Sequence, residues 1–295
     1  MPDFMSEFVL VFICYFLNYS NGLFSESLQI IQSSAFIQYY FRYVNSSTMK
    51  RLLWKLLLAG NTEPETIHDL SKHPLRNKLM NRIIHTDDRV ALATLGIIGS
   101  LLELYDEEIF HNLVLRNIPI IVLPSNQLVE NSLKSKQWFL SLKIYNGNNT
   151  EDEKAFMAHL HDAQLGVYQS FQKTSDWLYE LPNPNTPYQF EGELLFYLYK
   201  RLSTMLTNSK ILNYSLTELF LKLIRLPHPA MYSYFLNIDL QFPQKFKTLK
   251  SSLVELSEEI LKKTESIPEF SKKLSIVFHQ IAQPDNLSKY YSPPR

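Results

Sequence analysis

The chain has 295 residues, 45% of them hydrophobic and 13% aromatic, enough to bury a large core in one domain or an extended array. Lys plus Arg and Asp plus Glu each number 29, and a zero net charge argues against non-specific nucleic-acid binding, which depends on phosphate neutralisation. Seven glycines argue against phosphate-cradling loops and Rossmann turns, and the lone Cys14 excludes an internal disulfide framework and fits a reducing compartment.

Phe8 to Leu17 is the longest apolar run and reads as a buried helix. It is about half the ~20 residues a membrane span needs. Asp3 and Glu7 stand where a signal peptide would carry basic residues. An array normally begins with a cap that is polar outside, so this opening suggests a chain that starts inside a longer array. Ser25 is placed to cap a second helix to about Val44, with Leu28, Ile31, Ala35, Tyr39 and Arg42 along one side. Ser46 or Ser47 caps a third, rich in leucine, with Gly60 at its end. Pro74 suits the first turn of a short helix to Ile84.

Thr86 to Ile118 organises the rest. Thr86 is expected to cap a helix whose first turn carries Asp87 and Asp88. Ala91, Leu95, Ile98, Leu102 and Tyr105 fall on one face; Val90, Ile97, Leu101 and Leu104 fall on another. A helix apolar on two sides needs cover on two sides. Asp106 and Glu107 open the next helix, which carries Ile109, Phe110, Leu113 and Val114 before Pro119 stops it.

Beyond it, Ile118 to Leu123 reads as a short extended piece and Leu128 to Tyr145 as helix. Thr150 and Glu153 form a capping box that starts a long helix toward Trp177. Three prolines within Leu181 to Pro187 place a boundary between subdomains 1–180 and 187–284. An aromatic-rich helix spans Phe190 to Leu206. Ser215 with Glu218 reads as a capping box opening a helix to Arg225, and His228-Pro229 restarts a short one. Lys245 to Thr264 is amphipathic, with Phe246, Leu249, Leu253, Leu256 and Ile260 as its seam and Glu259–Lys263 on the wet side. Ser266 or Pro268 opens the last helix, to about Ala282, and residues 285–295 form a polar tail. The fold class is all-α, read as an α-solenoid of antiparallel helix pairs of HEAT or armadillo type.

Catalytic candidates are few. His161-Asp162, with His85 and Asp239, invites comparison with HD-type metal-dependent phosphohydrolases. However, His159 and His161 are two apart and point to opposite sides of a helix, so they cannot share a metal. Cys14 sits among Ile13, Tyr15 and Phe16, where burial raises a thiol's pKa and makes it inert. The lysines at 134, 136 and 143, and at 245, 247 and 250, read as solvated helix faces. Seventeen Tyr and 19 Phe exceed what helix cores usually need, and Tyr is enriched where proteins dock. The residues alone thus assign no catalytic residue, cofactor or metal.

The motifs do resemble a family. Asp87 to Ile118, with Ala93-Thr94-Leu95, Leu101-Leu102 and Leu113-Val114-Leu115-Arg116, is similar to the central signature of the FTS- and Hook-interacting protein family. Leu160-His161-Asp162-Ala163, Pro187-Tyr188 with Gly192-Glu193-Leu194, Leu226-Pro227-His228-Pro229 and Ile267-Pro268-Glu269-Phe270 resemble its later motifs, in order. The likeness runs from about residue 30 to 283 and corresponds to the C-terminal half of such proteins. It implies a non-enzymatic adaptor, cytoplasmic and peripheral on endosomal vesicles. Its expected partners are a Hook-type coiled-coil adaptor, an FTS homologue and a Rab-type GTPase, in a complex that links vesicles to dynein–dynactin. It also implies that the motif residues, His161 and Asp162 included, are structural. The other readings are an HD-type hydrolase and a HEAT-like scaffold with different partners.

Overall fold

The computed structural model describes residues 27–58, 73–118, 161–162, 165–166, 168–177, 191–226, 228–236 and 246–282. Among them there is helix and turn and no strand. The chain divides into two compact units, Met1–Ser252 and Leu253–Arg295. The expected first helix at Phe8, the extended piece after Ile118, the Leu128–Tyr145 helix and the proline-rich boundary lie outside the described residues.

In the first unit, α1 (Ser27–Tyr43) and α2 (Ser47–Leu58) are joined by a short turn whose Ser46 Oγ accepts the Met49 amide at 3.3 Å, one of the two caps expected. α3 (Pro74–Asn81) starts at its proline and tightens into a 3₁₀ turn at Arg82–Ile84. α4 (Asp88–Leu102) and α5 (Glu107–Leu113) follow, then a second 3₁₀ turn at Leu115–Asn117. The cap of α4 is Asp87, whose carboxylate accepts the Arg89 amide at 2.9 Å, not Thr86, which is exposed. α6 (Glu193–Leu202) is shorter than the expected Phe190–Leu206, because its ends turn at Gly192 and Ser203. α7 (Lys210–Ile224) corrects another expectation. Its cap is Ser209, and Ser215 lies inside the helix. Leu212, Leu216, Leu219 and Leu223 form one uninterrupted buried stripe, so burial rather than the local capping pattern sets the start. α8 is Pro229–Leu236. α9 (Leu249–Glu265) begins where Thr248 and Ser251 exchange side chain–backbone hydrogen bonds at 3.1 and 3.0 Å, so Phe246 precedes the helix instead of lying in its seam.

The core lies on α4. Val90, Ala91, Thr94, Leu95, Ile97, Ile98, Leu101 and Leu102 are all buried, which bears out cover on two sides. The covers are α1 and α7. Gln38 of α1 donates to the Ala93 carbonyl at 3.0 Å, and Arg42 lies 3.9 Å from Glu103, just past the end of α4. On the other flank the Ser209 amide meets Asp88 at 2.6 Å, and Lys222 meets Glu103 at 2.8 Å. The starts and the ends of α1, α4 and α7 therefore coincide, and the three helices lie side by side and parallel. The buried side of α1 is Ser34, Ile37, Tyr40 and Phe41; Leu28, Ala35, Tyr39 and Arg42, expected to share one side, face outward.

In the second unit, α9 continues to Glu265 with the expected Glu259–Lys263 pair at 2.8 Å. The last helix, α10 (Phe270–Ala282), starts two residues after Pro268, because Glu269 takes a positive φ of 54° just before it.

Candidate functional site

The most chemically concentrated part of the molecule is a buried polar seam that joins residues 58–118 to residues 191–248. Arg76 sits in α3 on the same side as Leu79 and Met80 and is 2% exposed. Its guanidinium reaches the Glu193 carboxylate at 2.9 Å, the Leu58 carbonyl at 3.2 Å and the side chain and carbonyl of Asn112 in α5. Glu193 is the first residue of α6, where a negative charge also meets the positive end of the helix dipole. A buried charge persists only when it is paired and hydrogen-bonded, and one guanidinium here ties α2, α3, α5 and α6 together.

Gly192 precedes Glu193 with φ +94°, a conformation that favours glycine, and a Cβ there would run into the Asn117 side chain. At the other end of α6, Arg201 donates to the His85 carbonyl at 3.1 Å and pairs with Asp88. Asp88 at the same time accepts the Ser209 amide, and these partners hold its carboxyl below the usual range despite an opposing desolvation.

Behind α6, the Tyr199 hydroxyl donates to Tyr234, which donates to the Lys247 carbonyl at 2.7 Å, and the Lys247 amide reaches the Glu191 carboxylate at 3.4 Å. Burial raises the pKa of Glu191 and of both tyrosines. His228, 3% exposed, accepts the Ala230 amide on Nδ1, and burial, with His111 adding to it, lowers its pKa to about 4. The seam is thus a lock between segments, in which charged side chains and hydroxyls are tied to one another and to backbone groups. Among the described residues no group of three or more His, Cys, Asp or Glu is placed to hold a metal ion.

The residues singled out from sequence fall mostly inside. Thr94, Leu95, Leu101, Leu102, Leu113, Val114, Leu115 and Arg116 are buried, and Ala93 lends its carbonyl to Gln38. His228 is buried at the start of α8, whose first residue is Pro229. Ala163 and Pro227 lie outside the described residues, as do His159, Asp239 and Cys14. His161 and Asp162 are exposed, and His85 accepts the Asp87 amide on Nδ1 at 3.0 Å. Sequence reasoning missed Arg76 and Arg201, and noted Glu193 only as part of the Gly192-Glu193-Leu194 motif, without its buried partner. The available signal was an arginine three and four residues before Leu79 and Met80, a charge on the apolar side of its own helix. On the surface, Tyr39, Tyr43, Tyr168, Phe171 and Tyr214 are each more than half exposed. No described helix is long and apolar enough to cross a membrane.

Two family models match the chain. Residues 19–118 are similar to the family described as retinoic acid induced 16-like protein, and residues 191–283 to a family of unknown function, DUF5917. Each match spans less than half of the chain. The central signature, with Ala93-Thr94-Leu95 and Leu113-Val114-Leu115-Arg116, falls in the first, and Gly192-Glu193-Leu194 and His228 fall in the second. The Arg76–Glu193 and Asp88–Arg201 pairs connect one matched stretch to the other.

Proposed function

We propose that this chain is a non-enzymatic helical scaffold of the FTS- and Hook-interacting kind, working as an adaptor. The observation that carries the reading is the match of residues 19–118 to the retinoic acid induced 16-like family, which is related to the FTS- and Hook-interacting proteins. The same stretch holds the signature on which the sequence resemblance rests. Two features of the molecule support it. The interior Arg76 and Glu193 are paired with each other, as are Arg201 and Asp88, and the side-by-side α1–α4–α7 layer agrees with reading the fold as an α-solenoid. In this reading the chain joins a Hook-type coiled-coil adaptor and an FTS homologue, meets a Rab-type GTPase on endosomal vesicles, and helps link those vesicles to dynein–dynactin.

Affinity purification of the tagged chain from cell extract tests it, with endosome positioning followed after depletion. Recovery of Hook and FTS homologues, with displaced endosomes on depletion, is the expected result. Recovery of other partners with endosomes unmoved leaves a HEAT-like scaffold and removes the adaptor assignment.

A further inference from the structure

Both edges of the α1–α4–α7 layer carry exposed apolar side chains. On α1 they are Leu28, Ala35, Tyr39 and Tyr43, with Leu28, Tyr39 and Tyr43 59–63% exposed and the two tyrosine rings 4.5 Å apart. On α7 they are Ile211, Tyr214 and Leu221. The two stripes differ in charge. Glu218 stands within the α7 stripe, its side chain 64% exposed and paired with Lys222 one turn on. The α1 stripe has no charge along its length, and Arg42, the one charged residue of the helix, stands in the last turn.

We propose that the outer side of α1 is a contact for the same side of a second copy of this chain, the two helices running antiparallel across a two-fold axis at Ala35. Ala35 is the central residue of α1, with Leu28 before it and Tyr39 and Tyr43 after it. A two-fold there lays the aromatic half of each stripe over the Leu28 half of the other, and sets a small side chain where the helices approach most closely. Such a surface is complementary to itself, which an isologous contact requires. Charge selects this edge and this arrangement. Pairing α7 with α7 about its middle would set Glu218 against its own copy. Pairing α1 with α7 would press Glu218 and Lys222 onto a stripe with no charge to answer them, and would leave an open-ended chain of copies. In the α1 pair, Arg42 comes to either rim, by the other copy's Ser27, where it keeps its water. A tyrosine-rich middle with charge only at the rims is how docking surfaces are composed. The contact is about 25 Å long, one helix against one helix. That is small for a specific interface and makes the association reversible.

Sedimentation velocity of the full chain over a wide concentration range, together with cysteine cross-linking, tests this. The expected result is a monomer–dimer equilibrium that Tyr39→Glu abolishes and Tyr214→Glu leaves unchanged, with circular dichroism verifying that both variants keep their helix. In a Cys14→Ala chain, Ala35→Cys should oxidise to a disulfide-linked dimer, because the axis brings the two Cβ atoms to the ~4 Å that a disulfide needs, and Tyr214→Cys should not. Leu28→Cys mixed with Tyr43→Cys should give the mixed dimer, as the antiparallel direction demands. A monomer at every concentration, or a dimer that survives Tyr39→Glu or links through Tyr214→Cys, overturns the proposal and leaves the edge to a different protein or to another part of this chain. None of these outcomes bears on which proteins the affinity purification recovers.

Discussion

Arg76 and Glu193 are each 2–3% exposed and together hold the seam, so their removal should be asymmetric. Arg76→Leu leaves a carboxylate buried without its partner and should cost about 3–5 kcal/mol in chemical denaturation. Arg76→Leu with Glu193→Leu removes both charges and should recover most of that loss, because desolvating the pair nearly cancels its attraction. Gly192→Ala should cost about 1–3 kcal/mol, since the new methyl meets both a disfavoured φ and Asn117.

His228 makes stability depend on pH. Its pKa in the fold is about 4, while an exposed histidine titrates near ~6.5, so the unfolded chain takes up the proton first as pH falls. Its contribution is whole above pH ~6.5 and is lost toward pH 4, a change on the order of 2–3 kcal/mol. His228→Asn, which keeps an acceptor for the Ala230 amide, should flatten the denaturation midpoint across that window. Glu191, with its raised pKa, pulls the other way, and Asp88 and Glu108, with lowered ones, act at lower pH. These residue-scale features were the least legible in the sequence. A charged residue three or four places from a leucine reads equally well as the wet edge of a helix, and only the approach of a distant segment makes Arg76 interior.

At the scale of the element, α4 was the most legible part of the chain, because two apolar stripes on one helix require neighbours on both flanks. Leu95→Ala should cost about 2–5 kcal/mol, the range for a fully covered leucine that leaves a cavity, and a loss below about half a kcal/mol would mean that α4 is not interior. Helix starts were harder. Thr86 and Asp87 both qualify as caps by type, and backbone geometry selects Asp87. Ser215-x-x-Glu218 has the composition of a capping box yet sits within α7. The real junction is fixed nonlocally, by Asp88 taking the Ser209 amide and by Asn213 donating to the Met205 carbonyl at 2.8 Å. Replacing Ser209 by Ala should cost about 1 kcal/mol and Ser215→Ala well under that, a comparison that thermal denaturation resolves.

For the molecule as a whole, the seam implies that the two matched stretches fold together. α4 is buried by α7 from across the chain, and Arg76 is neutralised by Glu193. A fragment limited to residues 19–118 should therefore fail to give native-like protection of α4 amides in hydrogen exchange, whereas in the full chain α4, α6 and α7 should open with one free energy. Protection of α4 in the isolated fragment would show that the seam is incidental. In α10, residues 271–276 are exposed throughout, and that helix should exchange faster than α4. The all-α class could be read from the three-and-four spacing. The parallel order of α1, α4 and α7 could not, since it rests on contacts between residues some sixty to more than a hundred positions apart.

That parallel order has an electrical side. Three helices laid side by side in one direction align their backbone dipoles, bringing partial positive ends together at one rim and partial negative ends at the other, an arrangement that repels itself. The side chains at the rims answer it. Asp87 and Asp88 stand among the positive ends, while Arg42 and Lys222 stand in the last turns of α1 and α7 with Glu103 held between them. The layer is in effect a charged plate whose counter-ions are covalently attached. Asp88→Asn should thus weaken it more at low ionic strength than at high, because dissolved salt supplies the screening that the missing carboxylate no longer provides.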